Sequence, residues 1–262
     1  MGTRTAKKSP IRERPLRLPG QGLDERLRDL VLDDGLNYLL PAALSWAIVI
    51  GSTLQDAAGR FVQPWMFIVV AALVSVWAFA GFTRILTLSR ALKLGRQGER
   101  HVGQLLQTLD LPGTRVFHDI PGEGFNLDHV VVCDRGIYVV ETKTWSKAGS
   151  EKLDVKDGSV LIGGRPVRGN PVGQVAAAAR WLREVLEGET GHTYECQPVV
   201  VLPGWYVNPM DAATKAMAWV LEPKALLKWI RNDAIRLQPE DIRRIEGAIS
   251  RHVRRHLGNS PE

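Results

Sequence analysis

Glu141 and Lys143 stand two residues apart in the run Val139-Val140-Glu141-Thr142-Lys143. Strand side chains alternate between faces, so in a strand this carboxylate and this ammonium share a face. The preceding run, Leu127-Asp128-His129-Val130-Val131-Val132, is rich in β-branched residues and carries Asp128. Cys133-Asp134-Arg135-Gly136 joins the two and reads as a tight hairpin turn. With Asp134 and Arg135 as the loop, the register puts Asp128 directly opposite Glu141. Two carboxylates facing each other across a ladder repel, and a divalent cation between them explains such a pairing. Hard oxygen donors suit Mg²⁺ (or Mn²⁺), which keeps several waters for a phosphate to replace. The chemistry this permits is metal-assisted displacement at phosphorus. The alternative is a pair of strand-end charges reaching solvent, and Glu-x-Lys alone carries little information.

Two helices are expected to aim polar residues at the same place. In GRQGERHVGQLLQTLD, which starts at Gly95, Glu99 precedes Val102 and Leu106 on the apolar stripe. Asn170 and Pro171 open a second helix, the Asn suiting the cap and the Pro the first turn. In that helix Gln174 lies four before Ala178 and eight before Leu182, again on the inward stripe. Each position is equally compatible with a helix-end polar group in water. The free N–H groups of the second helix offer a phosphate site, and Lys147, Arg165 and Arg168 lie on segments able to reach a nucleic-acid backbone. Trp145 either stacks on a base or caps the sheet. His129 points to the face opposite Asp128 and reads as a packed histidine. His252 and His256 are one turn apart with no third metal ligand in view. No Walker loop, dinucleotide fingerprint or serine elbow occurs.

The elements that hold these residues follow from the pattern. TRVFHDI, LDHVVVC and GIYVVETK are three strands, 151–168 is a small hairpin with turns at Asp157-Gly158 and Gly163-Gly164, CQPVVVLPG is a buried strand and AMAWVL a further one. Leu226–Asn232 and Pro239–His256 are helical. The order helix, three strands, helix, strand predicts an α/β fold with a mixed sheet against helices.

Charge separates this part from what precedes it. The chain of 262 residues has a formal net charge of +6. From Arg84 onward 25 Lys and Arg face 21 Asp and Glu, a surplus that permits a nucleic-acid groove without demanding one. The two cysteines, Cys133 and Cys196, have no metal or disulfide spacing. No charge occurs in 35–55 or in 61–83, runs of 21 and 23 residues. A membrane helix needs roughly 20 apolar residues, so 35–84 reads as a two-helix transmembrane hairpin, with buried core helices as the alternative. The arm up to Asp34 carries eight Lys and Arg, the link only Arg60, and 84–100 five. Positive residues stay inside, which places both termini on the cytoplasmic side of the cytoplasmic membrane. Within the arm, 1–34, the first twenty residues are basic and read as unstructured. Residues 22–34 form either an interfacial helix or a solvated linker helix.

Four ordered motifs then give a resemblance. Gly-x-x-Gly-Glu at 95–99, Asn-x-Asp-His-Val-Val-Val at 126–132, Val-Val-Glu-Thr-Lys-x-Trp at 139–145 and Asn-Pro-x-x-Gln at 170–174 together resemble the NERD (nuclease-related) domain, a branch of the P-D-(D/E)-x-K nuclease superfamily, over 94–205. Residues 206–262 are then a strand and helical extension. The resemblance implies a restriction-endonuclease-like fold, with Asp128 and Glu141 as metal ligands, Lys143 as the catalytic lysine, and Glu99 and Gln174 as supporting residues. The backbone carbonyl of Thr142 could complete the metal shell. The function expected is a membrane-anchored, Mg²⁺-dependent phosphodiesterase acting on nucleic acid, DNA first. The alternative is a non-catalytic nucleic-acid- or protein-binding module on the same fold.

Overall fold

A computed structural model of the chain describes residues 16–59, 64–147 and 152–258. The basic stretch 1–15, Arg60 of the link, the 61–63 start of the second uncharged run and residue 151 of the expected hairpin lie outside them. The described residues form two compact units, one of 22–97 and one of 16–21 with 98–258.

In the first unit α1 (Gln21–Asp29), one wide π-helical turn (Leu30–Asp34) and α2 (Gly35–Ala57) follow without a break, and α3 runs from Pro64 to Leu106. The helix expected from Gly95 is therefore the end of α3. Between Arg84 and Gly95 no proline or turn signal stops it, and the residues there are mostly strong helix formers. The stretches Gln21–Ala57 (37 residues) and Pro64–Leu106 (43 residues) are each long and apolar enough to cross a membrane. They meet through side chains: Trp46 Nε1 donates to Ser75 Oγ at 3.0 Å, and the rings of Tyr38 and Trp77 lie 4.8 Å apart. Gly81 lets the Tyr38 ring approach, since a Cβ there would sit 2.2 Å from it. Among the described residues, apart from Leu18, Tyr206, Met217, Ile235 and Leu257, the exposed large apolar side chains lie between Val31 and Leu88. A water-soluble monomer rarely exposes so extensive an apolar surface.

The second unit is built on β1 (Arg115–Pro121), β2 (Asn126–Cys133) and β3 (Gly136–Thr142). A separate three-stranded sheet follows: β4 (Leu153–Lys156), β5 (Ser159–Ile162) and β6 (Arg165–Pro166). Then come α4 (Pro171–Thr190), β7 (Cys196–Val201), α5 (Ala212–Met217), β8 (Trp219–Leu221), α6 (Pro223–Asn232) and α7 (Pro239–Gly258). The main sheet has the order β1-β2-β3-β7-β8, with the first three strands antiparallel and β7 and β8 parallel to β3. This is the mixed sheet flanked by helices. Its central strands β2 and β3 are buried on both faces. Val130, Val132, Ile137 and Val139 pack with Val175, Ala179 and Leu182 of α4 and Ile245 and Ile249 of α7. Val131, Tyr138 and Val140 pack with Val102 and Leu106 of α3 and Leu226 and Ile230 of α6.

Residues 16–20, within the stretch expected to be unstructured, belong to this unit. Leu16 packs against the core. Pro19 lies over Gly103, where an added Cβ would come within 2.7 Å of its ring. Gln21 Oε1 accepts from the Leu18 N–H at 3.1 Å.

Candidate active site

The turn between β2 and β3 has Asp134 and Arg135 as its loop, with Cys133 paired to Gly136 and His129 to Val140. Continued by one residue, this register sets Asp128 against Glu141. There the ladder opens and a side chain takes over: the Thr142 N–H donates to Asp128 Oδ2 at 2.7 Å. The next N–H, of Lys143, turns the other way and donates to Val201 O of β7 at 3.0 Å. An N–H and a C=O of one strand residue point to the same neighbour, so the Thr142 carbonyl is directed towards β2 as well. Lys143 Nζ pairs with Glu141 Oε1 at 2.7 Å, both side chains being half-buried. Glu99 is buried on α3, on the same stripe as Val102 and Leu106.

These groups act on one another. Burial pushes the Asp128 carboxyl well above its ordinary range, and the neighbouring charges of Glu141 and Glu99 push it further; the Thr142 N–H and Lys143 offset only part of this. Asp128, Glu141 and Lys143 are thus brought together at β2 and the end of β3, with Glu99 of α3 near enough for its charge to act on Asp128. Helix α3 approaches closely at Gly98, where an added Cβ would lie 1.9 Å from Thr144 Oγ1.

Gln174 is different. It is exposed, and the buried face of α4 runs through Pro171, Val172, Val175, Ala178, Ala179, Leu182 and Leu186. At about 100° of rotation per residue, Gln174 stands roughly a quarter-turn from the centre of that face. Its spacing to Ala178 and Leu182 is helical, but both lie on one margin of the stripe, and Gln174 falls outside it. The inward placement expected of Gln174 is corrected. The cap at the start of α4 is as read: Asn170 Oδ1 accepts from the Gly173 N–H at 2.9 Å.

Nearby groups sort into packing and surface. His129 lies wholly buried on the opposite face, its Nδ1 2.9 Å from His118 Nδ1. Burial lowers His118 to about 4; burial, and then His118, lower His129 to about 3. Both rings are neutral packing groups at neutral pH. Trp145 packs partly into the core, and its carbonyl accepts from Trp205 Nε1 at 3.3 Å. Lys147 Nζ sits 5.3 Å from the Trp205 ring centre, and Lys152 Nζ 5.9 Å from that of Tyr206. Arg165 and Arg168 are exposed. His252 bonds the Pro121 carbonyl at 2.8 Å.

Three residues not singled out from the sequence adjoin the site. Asp119, on β1, has φ +50°. Arg17 Nε pairs with its Oδ2 at 2.7 Å, and Asn126 Nδ2 donates to its Oδ1 at 2.9 Å. Asn126 was visible within a motif. Nothing in the sequence marked Arg17, one basic residue among many in the arm.

Among the described residues no group of three or more His, Cys, Asp or Glu has the geometry to hold a metal ion. A two-carboxylate set still fits Mg²⁺, which is bound through one or two carboxylates with water and substrate phosphate completing its shell. The raised Asp128 carboxyl, pressed by two further acids, is a donor set short of positive charge.

No curated protein and no solved structure matches the chain. Residues 94–203 match the family model described as NERD, nuclease-related domain. The stretch 94–203 is accordingly similar to a nuclease-related domain, and the second of two long apolar helices, Pro64–Leu106, runs into its start.

Proposed function

We propose that the chain is a membrane-anchored, metal-dependent phosphodiesterase acting on nucleic acid, DNA first. The observation that carries this reading is the convergence of Asp128, Glu141 and Lys143 at one end of β2 and β3, with Glu99 close enough to act on Asp128. Asp128, Glu141 and the Thr142 carbonyl would hold Mg²⁺ or Mn²⁺. When bound, the ion supplies Lewis acidity to a phosphoryl oxygen and a water of lowered pKa. Lys143 is held by Glu141 at 2.7 Å, where its ammonium can orient an attacking water or stabilise charge developing on the phosphoryl group. Lys147 beside Trp205 and Lys152 beside Tyr206 supply cations next to aromatic rings, a combination suited to a nucleic-acid strand. The apolar helices would anchor the chain in the cytoplasmic membrane, and the Lys and Arg flanking them favour both termini and the domain on the cytoplasmic side.

The second reading, a non-catalytic binding module for nucleic acid or protein, is favoured by the Glu141–Lys143 ion pair, which already occupies one carboxylate oxygen. Single-turnover cleavage of DNA and RNA oligonucleotides separates the two. Expected is cleavage with Mg²⁺ or Mn²⁺ that stops in EDTA, and a loss of about 10²-fold or more in Lys143→Ala with metal binding spared. Asp128→Ala and Glu141→Ala should lose metal binding and cleavage together. Cleavage that persists in EDTA, or a Lys143→Ala protein as fast as the wild type, would leave the binding module ahead.

A further inference from the structure

We propose that Arg17 is a positioning residue for the candidate site, so that the segment ahead of the apolar helices sets the strand end that carries Asp128. The inference rests on the metal-dependent reading above for what the position is used for, and on geometry for the link itself.

β1 and β2 pair His118 with His129 and Ile120 with Leu127. Their register therefore sets Asp119 beside Asp128, and the regular β1–β2 register passes over Asp119. Its φ of +50° is a left-handed conformation that a non-glycine side chain rarely adopts. Such a residue persists only where its surroundings hold it. Here the holding groups are visible. Arg17 and Asn126 engage one carboxylate oxygen each. The Arg17 and Asp119 side chains are 9% and 6% exposed, so this is an interior pair.

Asn126 is two residues from Asp128 on the same strand. The chain of contacts thus runs from Arg17 through Asp119 to Asn126, at the end of β2 where regular pairing with β3 has given way to the Thr142–Asp128 bond. A strand end without its full ladder is the part most easily displaced, and the Arg17–Asp119–Asn126 link fastens it from the other side. Without Arg17, the buried Asp119 carboxylate loses the guanidinium beside its Oδ2, and the left-handed residue within β1 loses one of the groups that hold it.

The test uses the full chain in detergent micelles, comparing wild type with Arg17→Gln, Arg17→Lys and the double variant Arg17→Gln, Asp119→Asn. Hydrogen exchange of the 126–129 amides and calorimetric Mn²⁺ binding are read alongside the thermal midpoint. Arg17→Gln is expected to speed exchange at 126–129 and to weaken Mn²⁺ binding about tenfold, the scale on which groups supporting a metal ligand act. Arg17→Lys, which keeps the charge, should recover part of both. The double variant should regain the thermal midpoint, because the charge that Arg17 balanced is removed with it, yet not the Mn²⁺ affinity. Unchanged exchange at 126–129 in Arg17→Gln overturns the proposal. So does a double variant that regains midpoint and Mn²⁺ affinity together, which would make the pair a stabilising contact alone. If the wild type takes up no Mn²⁺ while Arg17→Gln still loosens 126–129, the metal reading fails and the link from Arg17 to β2 stands.

Discussion

Asp128 concentrates the electrostatic demands of the site. Burial comes first, then Glu141 and Glu99, and all three favour its protonated form. Its folded pKa lies above the unfolded value, so the folded protein holds a proton that the unfolded chain has released. Stability therefore falls as pH rises from the ordinary carboxylate range through the raised value of Asp128. In metal-free protein the thermal midpoint should decline across that window, and Asp128→Asn, which stays neutral, should show a flatter profile and a higher midpoint above it. Parallel profiles for the two proteins would contradict this assignment. The histidine pair has the opposite sign. With His118 near 4 and His129 near 3, the unfolded chain binds protons first, and acidification from about 6.5 towards 4 should remove stability. His118→Phe, measured over the same range, should lose less on acidification than the wild type.

At the scale of elements, the site depends on how closely α3 meets the segment after β3. Gly98 faces Thr144, next to Lys143, with no room for a methyl group. Gly98→Ala should lower stability by about 1–3 kcal/mol, the usual range for overpacking, and weaken Mn²⁺ binding with it; thermal unfolding and calorimetry of the full chain check both. The strands, α4 and their turns were legible in the sequence because local signals agree: β-branched runs, a two-residue turn and a capped helix start. The Asp128–Glu141 register followed from the turn alone. Gln174 was misplaced because a spacing of four identifies a helical neighbour without saying which margin of the stripe it occupies. Arg17 and Asp119 were invisible for another reason. Their partnership spans the whole hairpin, and no local pattern encodes a contact between residues so far apart in the chain.

Taken as a whole, the molecule divides its surface chemistry sharply, with apolar exposure concentrated between Val31 and Leu88. On the reading that α2 and α3 cross the membrane, Ala58→Cys in their link should react with an impermeant thiol reagent on intact cells. Reaction only after permeabilisation would reverse the orientation. The native cysteines complicate this little: Cys133 is buried, and burial pushes Cys196 up to about 12.

The Arg17–Asp119 pair also bears on how the protein is made. Arg17 emerges from the ribosome before the apolar helices and Asp119 after them. On the reading that the apolar helices enter a membrane, a nascent chain must keep its first segment in the compartment where the domain later folds, and hold it ready while the helices are inserted. Contacts of high sequence separation form late and slowly. Docking of residues 16–21 is thus expected to be a closing step of maturation, and a ribosome-bound chain halted before β1 should leave that segment open to protease. A passenger domain fused directly ahead of Leu16, or an arm carried across the bilayer with it, would deprive the buried Asp119 of the Arg17 guanidinium.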